Sequence, residues 1–268
     1  MTQTFRLSLG MFTVLPVAPR GDFQPTPRQV RGMVLFAPVI GLLIGLGAAL
    51  TLFLLQELFS LVGGTTDGGP KSWLAALLTM GLVVLITGGI HLDGLADTVD
   101  ALASRSDRIA ALEVMRRSDL GPMGAIALLF ILAIQIVSLT VTIDAGHATL
   151  ALVCALVTGR VTAVWACRLP AARPDGQGSW VAQSVTSRQA VGVMAMTLFL
   201  PVAVLFLTGQ LDWPAAGIAL LAVASALVLT GLLQRWWSRR FGGITGDTLG
   251  AGVEISTAVV LVVMVLVP

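Results

Sequence analysis

Three aspartates, Asp93, Asp97 and Asp100, arrive in the stretch GGIHLDGLADTVDALASRSD, residues 88–107, directly after some of the most hydrophobic sequence in the chain. Their spacing is i, i+4, i+7. On a helix of ~3.6 residues per turn they fall within roughly 60° of one another. Three carboxylates on one face repel at neutral pH unless a cation joins them. Hard oxygen ligands in this pattern suit Mg²⁺ or Mn²⁺, and Mg²⁺ commonly bridges carboxylates to substrate phosphates. Gly94 removes a side chain beside the first carboxylate, so a bulky ligand can come close. The plainer alternative is a solvated acidic helix end at a membrane surface. His91, just ahead of the cluster, is a base, a phosphate donor or a ligand in one reading, and an interfacial histidine without chemistry in the other.

Three further segments carry polar groups. In RIAALEVMRRSDLGPMGA, residues 108–125, Ile109, Leu112 and Met115 recur at helical spacing opposite Arg and Glu. This predicts a short amphipathic helix on the membrane surface, ended by Ser118, Asp119, Gly121 and Gly124. Arg116 and Arg117 there either hold phosphate or serve only as anchoring charge. ARPDGQGS, residues 172–179, is a basic glycine-containing loop around Arg173. RRFGGITGDTLGAGVEIS, residues 239–256, sets Gly242, Gly243, Gly246 and Gly250 about Asp247. A glycine-rich turn before a helix N-terminus is a natural anion cradle. The Lys-Ser/Thr ending of a Walker motif is missing.

The elements that must position these groups are membrane spans. The chain has 268 residues, 56% hydrophobic and only 11% charged, with mean hydropathy +0.92. A soluble domain carries about 25% charged residues. A spanning helix needs ~20 mostly apolar residues, and seven stretches qualify, near 33–55, 73–90, 122–143, 148–166, 190–208, 213–233 and 250–268. The expectation is an all-α, polytopic integral membrane bundle forming a single domain over 1–268. Connections 144–147 and 209–212 predict tight hairpins. Apart from Lys71 and Arg160, every basic residue falls before the first span or on alternate loops: Arg6, Arg20, Arg28 and Arg31, then 91–121, 167–189 and 234–249. The positive-inside rule places those loops and the N-terminus in the cytoplasm and the C-terminus outside. All the polar clusters then share the cytoplasmic side. Trp73, Trp165, Trp213, Trp236 and Trp237 fall near span ends, as interfacial anchors do.

Inside the spans, Arg160 needs a partner or a wet cavity, with Asp247 or Glu254 available. Gly41 and Gly45 form a close-packing face. Cys154 and Cys167 read as small buried hydrophobes, without zinc or disulfide spacing. The net charge of +2 argues against nucleic acid. The N-terminus lacks the compact apolar core and cleavage site of a signal peptide.

Acidic ligands, glycine loops and arginines on one side of a helical bundle suit phosphoryl transfer, where catalysis is positioning plus charge neutralisation. The stretches GGIHLDGLADTVDAL, EVMRRSDLGPMGA, ARPDGQGS and FGGITGDTLGAGVEIS, with SLGMFTVLPV and RGMVLFAPVIGLLIGL near the start, resemble the cobalamin synthase family over nearly the whole chain. The resemblance implies an inner-membrane transferase acting on its cytoplasmic side. It would join adenosylcobinamide-GDP to α-ribazole or its 5′-phosphate and release GMP, with Mg²⁺ as cofactor. It further implies Asp93, Asp97 and Asp100 as metal ligands, and Asp97, Asp100 or His91 as proton acceptor. Arg173, Gly243, Gly246, Asp247, Arg116 and Asp119 would bind substrate. Membrane lipid is an expected partner, and self-association is left open.

Two other functions compete. A CDP-alcohol phosphotransferase shares the DG-type acidic motif, but the second half of that signature does not follow DGLAD. A transporter would use Arg160 and Glu254 as midspan charges, yet the acidic groups gather on one surface and no internal repeat is visible.

Overall fold

The structure, a computed structural model, describes residues 3–17, 24–62, 69–117 and 119–268. Within them the chain is helical, with one isolated parallel bridge between Ala171 and Ile244. The helices are α1 (Gln3–Phe12), α2 (Pro27–Leu35), α3 (Ala37–Leu61), α4 (Pro70–Thr87), α5 (Ile90–Ala103), α6 (Arg108–Val114), α7 (Pro122–Asp144), α8 (Ala148–Ala166), α9 (Gln177–Val181), α10 (Ser187–Thr197), α11 (Leu200–Leu207), α12 (Trp213–Phe241) and α13 (Gly246–Met264).

Seven segments are long and apolar enough to cross a membrane: Pro27–Leu61, Pro70–Thr87, Pro122–Asp144, Ala148–Ala166, Ser187–Leu207, Trp213–Phe241 and Gly246–Met264. The seven stretches expected from hydropathy are all found, and the protein is a multi-pass membrane protein. Proline opens many of these helices, at a first turn where its missing N–H costs nothing; Pro70, Pro122 and Pro201 illustrate it. The hairpins are as tight as expected, turning through Gly146 at φ 75° and Gly209 at φ 69°, backbone that glycine adopts without strain.

α8 is the hub. It packs on α3, α13, α12 and α10, and nearly every residue from Ala148 to Ala166 is buried. The helices approach α8 and each other through glycine. A Cβ on Gly41 would stand 2.6 Å from the Leu156 carbonyl oxygen, and one on Gly45 3.1 Å from Val153 Cα. The Gly41/Gly45 face is therefore a packing seam. α5 runs antiparallel to α13 by the same device: Gly94 lies on Asp247 and Gly250 lies on His91. In lipid, where apolar contact between helices has little hydrophobic driving force, this closeness is what allows dispersion contacts to hold the bundle.

Two boundaries differ from the sequence reading. α12 continues to Phe241 instead of ending near 233, and its last turns carry Trp237 and Phe241 inward against Leu95, Ala101, Met115 and Ala251. Trp237 is thus core and not an interfacial anchor. α13 starts at Gly246, one turn earlier than expected, because Thr245 and Thr248 cap it reciprocally. α6 exists where amphipathy predicted a helix, but it buries Ala111 and Met115 while Ile109 is exposed. Its inner face meets α5 and α12.

Candidate active site

α5 begins after two glycines, Gly88 at φ 65° and Gly89 at φ 68°, which turn the chain sharply out of α4. The three aspartates then occupy one face, as the spacing requires. Asp93 is exposed, and Asp97 and Asp100 are half-buried. Asp93 opens on a groove of about 620 Å³ between α1 and the α4–α5 turn, bordered by Met11, Thr87, Gly88, Leu92 and Leu128.

The carboxylates are not equivalent. Asp100 accepts the backbone N–H of Gly121 at 2.8 Å on one oxygen and that of Gly124 at 2.8 Å on the other. It caps α7, satisfying donors that the helix itself leaves free. Gly121 and Gly124 are required here, since a Cβ on either would stand 2.4 or 2.3 Å from an Asp100 oxygen. The i, i+4, i+7 face therefore presents Asp93 and Asp97 freely, with Asp100 tied to its neighbour. Among the described residues no three His, Cys, Asp or Glu side chains are gathered into a ready-made metal cage.

A fourth carboxylate comes from α13. Asp247, in its first turn, crosses α5 at Gly94, where a Cβ would lie 2.9 Å from Asp247 Cα. Partial burial, then the charges of Asp93, Asp247 and Asp100, push the Asp97 carboxyl up to about 7, with Arg173 opposing. Asp97 is the electrostatic centre of the group.

Arg173 reaches this centre because two loops are sewn together. Ala172 donates its N–H to the Ile244 carbonyl at 3.0 Å, and Ile244 donates to Pro170 at 2.7 Å. Gly243, at φ 153°, allows the approach; a Cβ there would stand 2.2 Å from the Ala171 carbonyl carbon. Gly178 likewise seats α9 on Thr245. Arg173 Nη2 then stands 3.6 Å from Asp247 Oδ2. Arg173 Nη1 and Asp247 Oδ2 are both buried and make no hydrogen bond.

Other expected residues sit differently. Gly246 opens α13 against Gln177, but the Thr248 N–H beside it is already taken by Thr245, so part of the expected anion cradle is filled by the helix's own cap. Arg116 binds Asp175 at 2.5 Å, with Glu113 at 3.7 Å, and so holds the Arg173 loop from outside. Asp119 is exposed. Ser118 and Arg20 lie outside the described residues.

His91 does not join the carboxylates. It lies about 200° around α5 from Asp93, buried and stacked on Phe12 at 6.0 Å, in an apolar cavity with Cys167 and Leu249. Burial foremost, then the charge of Arg160, holds its imidazole well below the usual histidine range. Its Nδ1 has no partner. Deeper still, Glu254 accepts from Gln135 at 2.8 Å, and of the two expected partners of Arg160 it is Glu254 that supplies the neighbouring charge.

The sequence reading missed two supports. Arg108 donates to the Ala172 carbonyl at 2.9 Å and fills the space over Gly242. Asp175 is the partner of Arg116. Neither has a local signature, because each partner is distant in the chain.

Comparison with known proteins gives a consistent picture. The family model described as Cobalamin-5-phosphate synthase matches residues 4–265. A protein of Frankia casuarinae named adenosylcobinamide-GDP ribazoletransferase is 39% identical over 94% of this chain and 92% of its own length. Proteins of the same name from Citrobacter koseri and Escherichia coli (strain K12 / DH10B) are each 34% identical, covering 98% of this chain and 100% of their own. No solved structure matches the chain.

Proposed function

Because this chain belongs to the Cobalamin-5-phosphate synthase family, we propose that it is a transferase joining adenosylcobinamide-GDP to α-ribazole or its 5′-phosphate, with GMP as leaving product. The observation that carries the reading is the convergence of Asp93, Asp97 and Asp247 with the half-buried Arg173, whose Nη1 is buried and unpaired. An acidic centre beside a free guanidinium edge is what a diphosphate held through a divalent cation requires. Asp97, Asp93 and Asp247 suit Mg²⁺ as hard oxygen donors, one or two of them with diphosphate oxygens completing a coordination shell that the protein does not close alone, and Asp247 Oδ2 is buried without a hydrogen-bond donor. Bound there, the ion would neutralise charge on the diphosphate and on the leaving GMP.

The chain's own residues do the rest. Arg173 binds a phosphate oxygen through its unpaired edge. The ribazole hydroxyl attacks the phosphorus nearer cobinamide, and a carboxylate accepts its proton. Asp97, lying among Asp93, Asp100 and Asp247, is the candidate for that role in its deprotonated form. Asp100, bound at both oxygens, positions α7 against α5. His91, on the other side of α5, serves packing in this reading. Arg116 acts through Asp175, steadying the loop that aims Arg173.

The arginines gathered about the site, Arg108, Arg116 and Arg173, belong to the loops that the positive-inside rule assigns to the cytoplasm. The site therefore faces the cytoplasm of an inner-membrane protein, with the N-terminus on the same side. The test is GMP release from adenosylcobinamide-GDP by the purified, lipid-reconstituted protein, with and without α-ribazole and Mg²⁺. Release that needs both supports the reading. CMP release from a CDP-alcohol, with no GMP release, would replace it.

A further inference from the structure

A second charged cluster lies at the end of α8, built from residues the active site does not use. The Arg168 guanidinium carbon sits 3.3 Å from the Trp165 ring centroid, and that of Arg235, from α12, sits 5.4 Å from the same ring. Gly231, one turn before Arg235, lets the indole in; a Cβ there would stand 3.2 Å from Trp165 Nε1. Arg168 is fixed in place, donating to the Trp165 carbonyl at 3.1 Å and to the Ser187 hydroxyl at 3.1 Å. Two guanidinium groups thus share one ring, and no carboxylate forms an ion pair with either among the described residues. Burial and the charge of Arg235 both disfavour the charged form of Arg168. Like charges held together without a counter-ion are costly, and the geometry leaves the neutralising anion to come from outside.

The surroundings define that anion. Along α12, Val228 and Leu232 precede Arg235 by seven and three positions, so they lie on its face, and they are 63% and 57% exposed. On α10, Val191 follows Ser187 by one turn and is 54% exposed. An apolar strip, Val228–Leu232, therefore runs from the charged cluster along α12, and Val191 stands one turn from Ser187 on α10, both helices lying in segments that can cross the membrane. We infer that Arg168, Arg235 and Trp165, with Ser187, form a binding site for an anionic phospholipid, its phosphate between the two guanidinium groups and its acyl chains on the Val228–Leu232 and Val191 strip. Arg168 lies just before the Pro170–Arg173 segment, so the lipid sits at the base of the loop that carries Arg173.

The full chain, purified in detergent and titrated with phosphatidylglycerol or phosphatidylcholine under native mass spectrometry, tests this. Phosphatidylglycerol should bind about tenfold more tightly, on the scale expected for interfacial arginines meeting anionic lipid. Arg168→Gln with Arg235→Gln should remove that preference and leave phosphatidylcholine binding unchanged. Arg105→Gln with Arg117→Gln, which removes the same charge elsewhere, should keep it. Millimolar inorganic phosphate should not displace the lipid, because it has nothing to place on the apolar strip; displacement would mean a free-phosphate site and overturn the lipid assignment. Equal binding of the two lipids by the unaltered protein overturns it without any variant, as does a full preference in the double-glutamine protein.

Discussion

Arg173 and Asp247 face each other at 3.6 Å, the first on the segment after α8 and the second in the opening turn of α13. That distance is too long for a hydrogen bond, and Asp247 Oδ2 and the other guanidinium nitrogen, Arg173 Nη1, are left without hydrogen-bond partners in a buried place. Unpaired buried polar groups are expensive unless something completes them. In the proposed reaction the completing group is the substrate diphosphate with its cation.

Arg173→Lys keeps the charge but loses the planar two-pronged donor. It should lower the rate of GMP release on the order of a hundredfold, comparable to removing one preorganised donor from a transition state. Thermal stability should change little. A lysine variant with near-normal turnover would remove Arg173 from phosphate binding.

Asp100 and Asp93 should separate by what they damage. Asp100→Ala strips two N–H groups at the start of α7 of their acceptor, and should cost roughly 1–3 kcal/mol of stability. Asp93→Asn should leave the unfolding midpoint nearly unchanged, because Asp93 is exposed, and should lower turnover on the order of a hundredfold. Differential scanning fluorimetry beside the GMP assay measures both. Equal loss of stability in the two variants would merge roles that are kept apart above.

Asp97 predicts a pH dependence. The folded protein keeps the Asp97 proton up to about 7, whereas an unfolded aspartate gives it up near ~4. Between those values the folded state binds more protons than the unfolded state, so this group's contribution falls as pH rises and levels off above the upper value. Unfolding midpoints measured from pH 5 to 8 without divalent cation should show that decline. Asp97→Asn should flatten it. Added Mg²⁺ should stabilise more at pH 8 than at pH 6, because at the lower pH it must displace a proton.

Gly94→Ala tests the crossing of α5 and α13. Its Cβ would stand 2.7 Å from the Asp247 carbonyl oxygen, so the helices must part. The expected cost is about 1–3 kcal/mol, with most of the GMP release lost. Gly47→Ala, where a Cβ meets nothing within 4 Å, should be silent in both measurements.

Topology is open to a simple measurement. Alkaline phosphatase fused after Pro268 should be active, and green fluorescent protein fused there dark, if the arginine-bearing loops lie in the cytoplasm. The opposite pattern would place the Asp97 site outside the cell.

The sequence by itself determined the membrane class, the seven spans and the shared face of Asp93, Asp97 and Asp100. These follow from short-range quantities, namely window hydropathy and the 3.6-residue period, which neighbouring residues decide among themselves. The family resemblance was also legible along the chain, because its motifs are contiguous. The tertiary structure alone decided which carboxylates are free. Asp100 is occupied by Gly121 and Gly124, Asp247 enters through the notch at Gly94, and His91, though only two positions from Asp93, is turned into the bundle. Arg108 and Arg116 became supports of the Arg173 loop only once α6 was set against it. Whether a polar side chain is free or already satisfied depends on which backbone groups the fold brings within ~3 Å, and for each of these residues the deciding group comes from a distant segment of the chain.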